Sequence, residues 1–186
     1  MMNRNPNYHN ALQDFQSAHL RAKLQGVLAR ITGKSNELLS YEEVASKLKL
    51  QGRSDKGIQT IPMDAIVGSV GRYTDFTRTF LPRRAEDQER WANVKAATFD
   101  AAGPGSQPVE VYKVSEVYFV MDGNHRVSIA RQEGQKAIEA HVIEIQTDVP
   151  LTPDVQPDEL IIKAEYADFL EQTGLNKTQE YIDLKL

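Results

Sequence analysis

The chain has 186 residues, of which 40% are hydrophobic and 26% are charged, and its formal net charge is -4. This length and composition predict one soluble globular unit with a sizeable core. The chain contains no cysteine, which excludes disulfides and thiol chemistry, and its negative net charge provides no general attraction for nucleic acid. No segment has the apolar length of a membrane span or the apolar centre of a secretory signal, so we expect a cytoplasmic protein without a membrane partner.

The N-terminal third is predicted to be helical. An apolar repeat from about Asn10 to Ile31 indicates a helix that ends at Gly33 and has a loose apolar stripe, formed by Leu12, Phe15, Leu20, Leu24, Val27, Leu28 and Ile31. A capping box over residues 40–43 predicts a second helix that runs toward Gly52. The basic residues of the first helix suggest a solvated face or, alternatively, a surface that binds a partner; they are Arg21, Lys23, Arg30 and Lys34.

A strand followed by a glycine-rich loop comes next. The segment from Gln59 to Val67 is predicted to be the first core strand, and the loop from Gly68 to Tyr73 contains two glycines that permit unusual backbone angles. Four arginines lie within thirteen residues here: Arg72, Arg78, Arg83 and Arg84. Such a density of cations suits a triphosphate or a nucleic-acid backbone, and solvated surface arginines are the alternative.

The remaining elements complete an α+β protein in which a small mixed sheet is flanked by helices. The sequence predicts a helix from Glu86 to Ala101 with Trp91 in the core, and a hairpin with its turn at Ser115-Glu116. The strands and the last helix are expected at Val109–Val114, Val117–Met121, Ala137–Ile145 and Pro157–Gly174. Residues 1–56 are interpreted as a helical extension, residues 57–148 as the core, and residues 149–186 as a second helical extension.

The junction between the strand at Val117–Met121 and the next helix is the strongest candidate site. Its polar turn has the sequence Asp122-Gly123-Asn124-His125-Arg126. The first N–H groups of a helix lack internal partners and attract anions, and a glycine lets a ligand approach closely. We expect Asp122 or Asn124 to cap the helix, and His125 and Arg126 to contact phosphate. The alternative is a well-capped helix without a ligand.

These residues resemble the ParB/sulfiredoxin superfamily. The resemblance covers residues 108–145, with the hairpin, the Asp-Gly-Asn-His-Arg turn, Gly134 and the strand Ile138-Glu139-Ala140-His141-Val142, and it extends back to Ile61–Ile66. Members of this superfamily include partition proteins that use CTP, sulfiredoxin, which uses ATP, and free serine kinases. The resemblance implies a fold that holds nucleotide phosphates at the start of this helix.

Each activity of the superfamily meets a different obstacle in this sequence. Sulfiredoxin requires a cysteine directly before the His-Arg pair, where this chain has Asn124, so its reductase chemistry is excluded. The partition proteins carry a further DNA-binding domain, for which the forty or so residues after Ile145 are too few. The serine kinases have a catalytic glutamate in the loop after the first strand. Here that loop lacks a carboxylate, and Asp64 and Asp75 flank it as the remaining candidates for a base.

The leading interpretation is a nucleotide-binding protein whose cofactor is a nucleoside di- or triphosphate with Mg²⁺. The resemblance places the phosphates against residues 122–126, and Arg72 and Arg78 are expected to close over them. Hydrolysis and phosphoryl transfer both stay open, as does assembly into a homo-oligomer. The four histidines lack ligand-pair spacing, so no dedicated metal site is expected. The alternative function is a non-catalytic accessory module that binds DNA or a protein.

Overall fold

A six-stranded mixed β-sheet flanked by helices forms the computed structural model, which describes residues 6–33, 35–98 and 107–174. The helices are α1 (Pro6–Thr32), α2 (Tyr41–Lys47), α3 (Gln88–Thr98), α4 (Asn124–Gln132) and α5 (Glu159–Thr173). The strands are β1 (Leu39–Ser40), β2 (Gln51–Pro62), β3 (Ile66–Ser69), β4 (Val109–Val114), β5 (Val117–Asp122) and β6 (Ala137–Gln146). Short 3₁₀ turns lie at Met63–Ala65 and Ala85–Asp87. The predicted α+β class is confirmed.

The order of the strands across the sheet is β1-β3-β5-β4-β6-β2. The pairs β1–β3 and β3–β5 are parallel, whereas β4 and β5 form the predicted antiparallel hairpin. Because β3 and β5 are parallel neighbours, their carboxyl ends lie side by side at the same end of the sheet. Ligands of α/β proteins commonly bind beside the carboxyl ends of neighbouring strands.

Strand β5 is buried on both faces of the sheet, which explains why its sequence is an uninterrupted apolar run. Tyr118 and Val120 pack into one core cluster together with Val127 of α4. Phe119, which points to the opposite face because side chains alternate along a strand, packs into a second cluster with Leu160 of α5. The strand is thereby held rigidly where it delivers the polar turn at its end.

The segment predicted as one strand from Gln59 to Val67 is divided in the structure. Strand β2 begins at Gln51, ahead of the predicted start, and ends at Pro62. Proline has no N–H to continue the ladder, so the chain leaves the sheet in a 3₁₀ turn and re-enters it as β3. The sheet therefore uses β1 and part of β2, both of which belong to the segment interpreted as an N-terminal extension.

The second half of the apolar stripe of α1 faces solvent. Phe15, Ala18 and Ala22 are buried, whereas the residues from Leu20 onward in the stripe are exposed. Helix α5 also has exposed apolar residues, since Leu160 is buried while Ile161 and Phe169 face solvent. The last residues of the helix predicted from Glu86 to Ala101, residues 99–101, lie outside the described residues. None of the described helices carries an apolar stretch long enough to cross a membrane.

Candidate functional site

A cleft of about 540 Å³ opens where β3 and β5 end. The loop after β3, helix α3, the segment before β4 and the β5–α4 junction contribute its lining: Gly71, Arg72, Arg90, Val94, Gln107, Met121, Asp122, Gly123, Asn124, His125 and Arg126. The structure thus brings the predicted turn and the predicted arginine loop together, although some fifty residues separate them in the chain. The reason is the parallel pairing of β3 with β5.

Gly123 makes the sharp turn from β5 into α4. Its φ of 102° lies in the left-handed region, and a Cβ at this position would come within 2.6 Å of Val109 Cγ1. The N–H of Val127 donates to the carbonyl of Gly123 over 3.0 Å, which begins the helical pattern. The three preceding N–H groups therefore have no carbonyl one turn back, and they carry the partial positive charge of a helix start.

Neither Asp122 nor Asn124 caps α4 with its side chain, contrary to the prediction. Asn124 is already the first residue of the helix, and its side chain is buried. Gly123 occupies the capping position instead, and it has no side chain that could accept a hydrogen bond. The first N–H groups of α4 therefore have no capping side chain as their acceptor.

Two buried side chains at the cleft have polar atoms without partners. Asn124 is 7% exposed and His125 is 5% exposed, and within the described ranges neither Asn124 Oδ1 nor either ring nitrogen of His125 has a hydrogen bond. The ring of His125 meets that of Phe76 edge-on at 5.4 Å between centroids. Buried polar atoms are nearly always hydrogen-bonded in folded proteins, so such orphans beside a cleft indicate a place for a ligand.

The imidazole of His125 is neutral at pH 7, because burial lowers its pKa to about 4. The carboxylates of Asp87 and Asp75 favour its protonation, and the guanidinium groups of Arg90 and Arg72 oppose it. Desolvation is the largest of these effects. A neutral imidazole carries one N–H donor and one acceptor.

Arg126 braces the turn from inside. Its guanidinium donates to the carbonyls of Gln107 and Pro108 over 2.6 and 2.9 Å, and to Asp122 Oδ2 over 2.6 Å. The expected division of roles, in which Asp122 holds the turn and Arg126 contacts the ligand, is thus not the arrangement observed. The two side chains pair with each other and join the start of β4 to the end of β5.

Arg72 lies at the cleft, as predicted, between two carboxylates. Its Nη1 atom is 3.3 Å from Asp87 Oδ1 and 3.5 Å from Asp75 Oδ2. The backbone of this loop is tied to β5 through Ser69, whose hydroxyl donates to the carbonyl of Val120 and accepts from the N–H of Arg72. The loop position is therefore fixed by the sheet, while the guanidinium is held only by its ion pairs.

Arg78 does not line the cleft, so the structure does not support its predicted role of closing over a ligand. Its guanidinium donates to the carbonyls of Val67, Pro153 and Val155 over 3.2, 3.1 and 2.8 Å. Burial lowers the pKa of this group. Arg78 instead links β3 to the segment that follows β6, and its three carbonyl partners hold the guanidinium there.

The two predicted carboxylate bases also lie outside the cleft lining. Asp64 is exposed on the 3₁₀ turn before β3. Asp75 is only 7% exposed, and it pairs with Arg72 and with Arg84, whose Nε is 3.0 Å from Asp75 Oδ1. Neither side chain presents an unpaired carboxylate to a ligand in the cleft.

Sequence analysis missed two residues at the start of α3. Arg90 lines the cleft and makes no ion pair with any residue in the described ranges, and Asp87 Oδ2 is buried without a hydrogen bond. Both lie beside Trp91, which packs against α1 and whose indole N–H donates to Ser128 Oγ of α4 over 3.1 Å. The predicted burial of Trp91 is confirmed. This predicted burial was the sequence signal for Arg90, because a buried Trp91 means that its neighbours on α3 lie close to another element.

Within residues 6–33, 35–98 and 107–174, no three His, Asp or Glu side chains cluster in a way that could hold a metal ion by themselves. A search against protein-family models found no match, and neither did a search against curated proteins.

Proposed function

We propose that the protein binds a nucleotide, or another phosphate-bearing ligand, in the cleft between β3 and β5. The supporting observation is that one cleft combines the glycine-led start of α4 with the guanidinium groups of Arg72 and Arg90 and with buried polar atoms of Asn124 and His125 that have no partner among the described residues. Phosphate is the common ligand that helix N–H groups and guanidinium groups both favour. The resemblance of residues 108–145 to the ParB/sulfiredoxin superfamily supports the same ligand class.

The size of the cleft suits a nucleotide. Its volume of about 540 Å³ falls within the usual range for small-molecule sites, roughly 300–1,000 Å³. The phosphates would occupy the end formed by Gly123 and Asn124, and Val94 and Met121 offer apolar surface for a base or sugar. Mg²⁺ normally arrives with the phosphates and keeps several of its waters, so it needs few protein ligands.

The three arginines that line the cleft differ in the partners they already have. Arg126 is fully engaged in bracing the turn, and Arg72 is shared by two carboxylates. Arg90 is exposed and unpaired in the described part of the chain, so it is the cation that can bind phosphate without breaking another contact. We therefore assign Arg90 the first contact with the ligand, and Arg72 a second one that requires exchange of its carboxylate partners for phosphate.

A thermal-shift titration with nucleoside di- and triphosphates plus Mg²⁺ tests this proposal, because a ligand that binds only the folded state raises its Tm. Inorganic phosphate and pyrophosphate serve as ligand controls. Replacing Arg90 by Ala removes one charge-assisted contact worth about 2 kcal/mol, so the Kd should rise by at least tenfold. The matched control is Arg53→Ala, since Arg53 is an exposed arginine of β2 at the opposite edge of the sheet.

The proposal fails if no phosphate-bearing ligand raises the Tm at millimolar concentration. It also fails if Arg90→Ala and Arg53→Ala bind the nucleotide equally well. Hydrolysis or transfer of phosphate is a separate measurement on the same samples, by release of inorganic phosphate.

A second candidate function is a module that binds a protein partner, and the exposed apolar face of α1 favours it. The DNA-binding form of this alternative used the arginines of residues 72–84 and the basic first helix, and each of those arginines has a partner in the structure. Arg83 lies 3.6 Å from Glu37, and Arg84 pairs with Asp75, so both charges are already balanced. The protein-binding form is thus better supported than the DNA-binding form.

A further inference from the structure

Helix α1 has apolar residues on two opposite faces. One face packs against α3 through Tyr8, Ala11 and Phe15 and continues along Ala18 and Ala22. The opposite face of its second half carries large side chains that are between 52% and 75% exposed: Leu20, Leu24, Val27, Leu28 and Ile31. A surface helix normally has one apolar face, and a helix that is apolar on both faces is normally covered on both.

The exposed residues of α1 are spaced as in a helix–helix seam. Leu20, Leu24, Val27 and Ile31 follow one another at intervals of four, three and four residues, so they lie in one line along the helix. At about 1.5 Å per residue, this line is about 16 Å long. Its natural occupant is another helix of similar length.

The rim of this seam is basic. Arg21, Lys23 and Arg30 are exposed beside it, and Asp14, the acidic residue of α1, lies away from it and pairs with Lys95 of α3. Two copies of α1 placed against each other would bring these cations together. The occupant must therefore carry carboxylates beside its own apolar residues.

Helix α5 has this combination. Ile161, Ile162 and Phe169 are 58%, 61% and 48% exposed and span about 12 Å of the helix. Glu165 is exposed among them and has no ion pair in the described ranges. Further along the same helix, Asp168 and Glu171 are exposed acids that share Lys49.

We propose that two copies of the chain form a two-fold symmetric dimer in which the exposed face of α1 in one copy packs against the exposed face of α5 in the other. Symmetry forms this contact twice. The five exposed apolar side chains of α1 and the three of α5 then cover one another. The two contacts together cover sixteen of these side chains, and at roughly 50 Å² for each they bury about 800 Å² of apolar surface. Because interfaces are somewhat more than half apolar, the total buried area is about 1,400 Å². A stable dimer needs about 1,200–2,000 Å².

Sedimentation equilibrium of the full chain tests the dimer directly. We expect wild type to be dimeric at about 50 μM and Leu24→Glu to be monomeric, with a Kd raised at least a hundredfold. Leu24 is exposed, so the substitution leaves the fold intact, as the fluorescence of the buried Trp91 will show. The control is Asn10→Glu, an exposed position nearly three turns before the seam on the same helix. A monomeric wild type, or a dimeric Leu24→Glu, overturns the proposal.

A charge exchange tests the choice of α5 as the occupant. One chain carries Lys23→Glu and Arg30→Glu, and the other carries Glu165→Lys and Gln172→Lys. A homodimer of either variant places like charges opposite each other at both contacts, so its Kd should rise at least tenfold. Their mixture restores one basic and one acidic rim at each contact, so heterodimers should form with an affinity near that of wild type. If the mixture dissociates as readily as its components, α5 is not the occupant and the proposal fails.

Discussion

His125 should make the stability of this protein depend strongly on pH between 6.5 and 4. The imidazole is 5% exposed, and burial lowers its pKa from 6.5 to about 4 in the folded state. Between these values the unfolded chain binds a proton that the folded chain does not, so stability falls as the pH falls. At about 1.4 kcal/mol for each pKa unit, the loss from this one residue amounts to about 3 kcal/mol.

The substitution His125→Phe isolates this effect. Phenylalanine has no titratable group and can pack against Phe76 as the imidazole does. Urea unfolding, followed by the fluorescence of the single tryptophan, Trp91, gives the free energy of unfolding of each protein from pH 7.5 to 4 at one protein concentration. We expect His125→Phe to gain about 3 kcal/mol relative to wild type as the pH falls through this window.

The control for this comparison is Val127→Ala. Val127 is fully buried beside His125 on α4, and truncating it creates a small cavity that costs about 2 kcal/mol at every pH. Its unfolding free energies should therefore run parallel to those of wild type. If the curve for His125→Phe is also parallel to wild type, His125 is not buried as a neutral base, and the argument for an orphaned imidazole at the cleft is refuted.

Two further substitutions test the turn at the start of α4. Gly123→Ala should cost about 3 kcal/mol, because the new Cβ meets Val109 at a positive φ, whereas Gly134→Ala, at a φ of 74° with open space around it, should cost only about 1 kcal/mol. Equal losses in urea unfolding would mean that the contact with Val109 carries no energy. Arg126→Ala should lose about 2 kcal/mol, since it leaves two carbonyls without their donor, and Asp122→Ala should lose under about 1 kcal/mol, because Asp122 is an exposed partner. An Arg126→Ala protein as stable as wild type would show that the brace is not needed.

Local sequence signals were sufficient to predict the elements around the site. The apolar run of β5, the glycine that follows it and the periodic residues of α4 each depend on neighbours a few positions away. The turn at Ser115-Glu116 is confirmed as the connection between β4 and β5, with Ser115 at a positive φ. The end of α1 at Gly33 and the capping of α2 by Ser40 are confirmed for the same reason, since turn and cap preferences act within one or two turns of chain.

The sequence by itself determined where the β4–β5 hairpin, the glycine turn, α4 and β6 lie, because hydrophobic periodicity and backbone preferences are local; it did not determine the extent of β2 or the short strand β1. Only the tertiary structure decided which charges reach the cleft. Arg72 and Arg78 look alike in the sequence, yet the pairing of β3 with β5 brings Arg72 to the cleft, and three carbonyls from distant segments hold Arg78 elsewhere. Arg90 reaches the cleft because α3 packs against α1 and α4, with Trp91 bonded to Ser128 of α4. A side chain's partners depend on the order in which strands and helices pack, and residues that are far apart in the chain set that order.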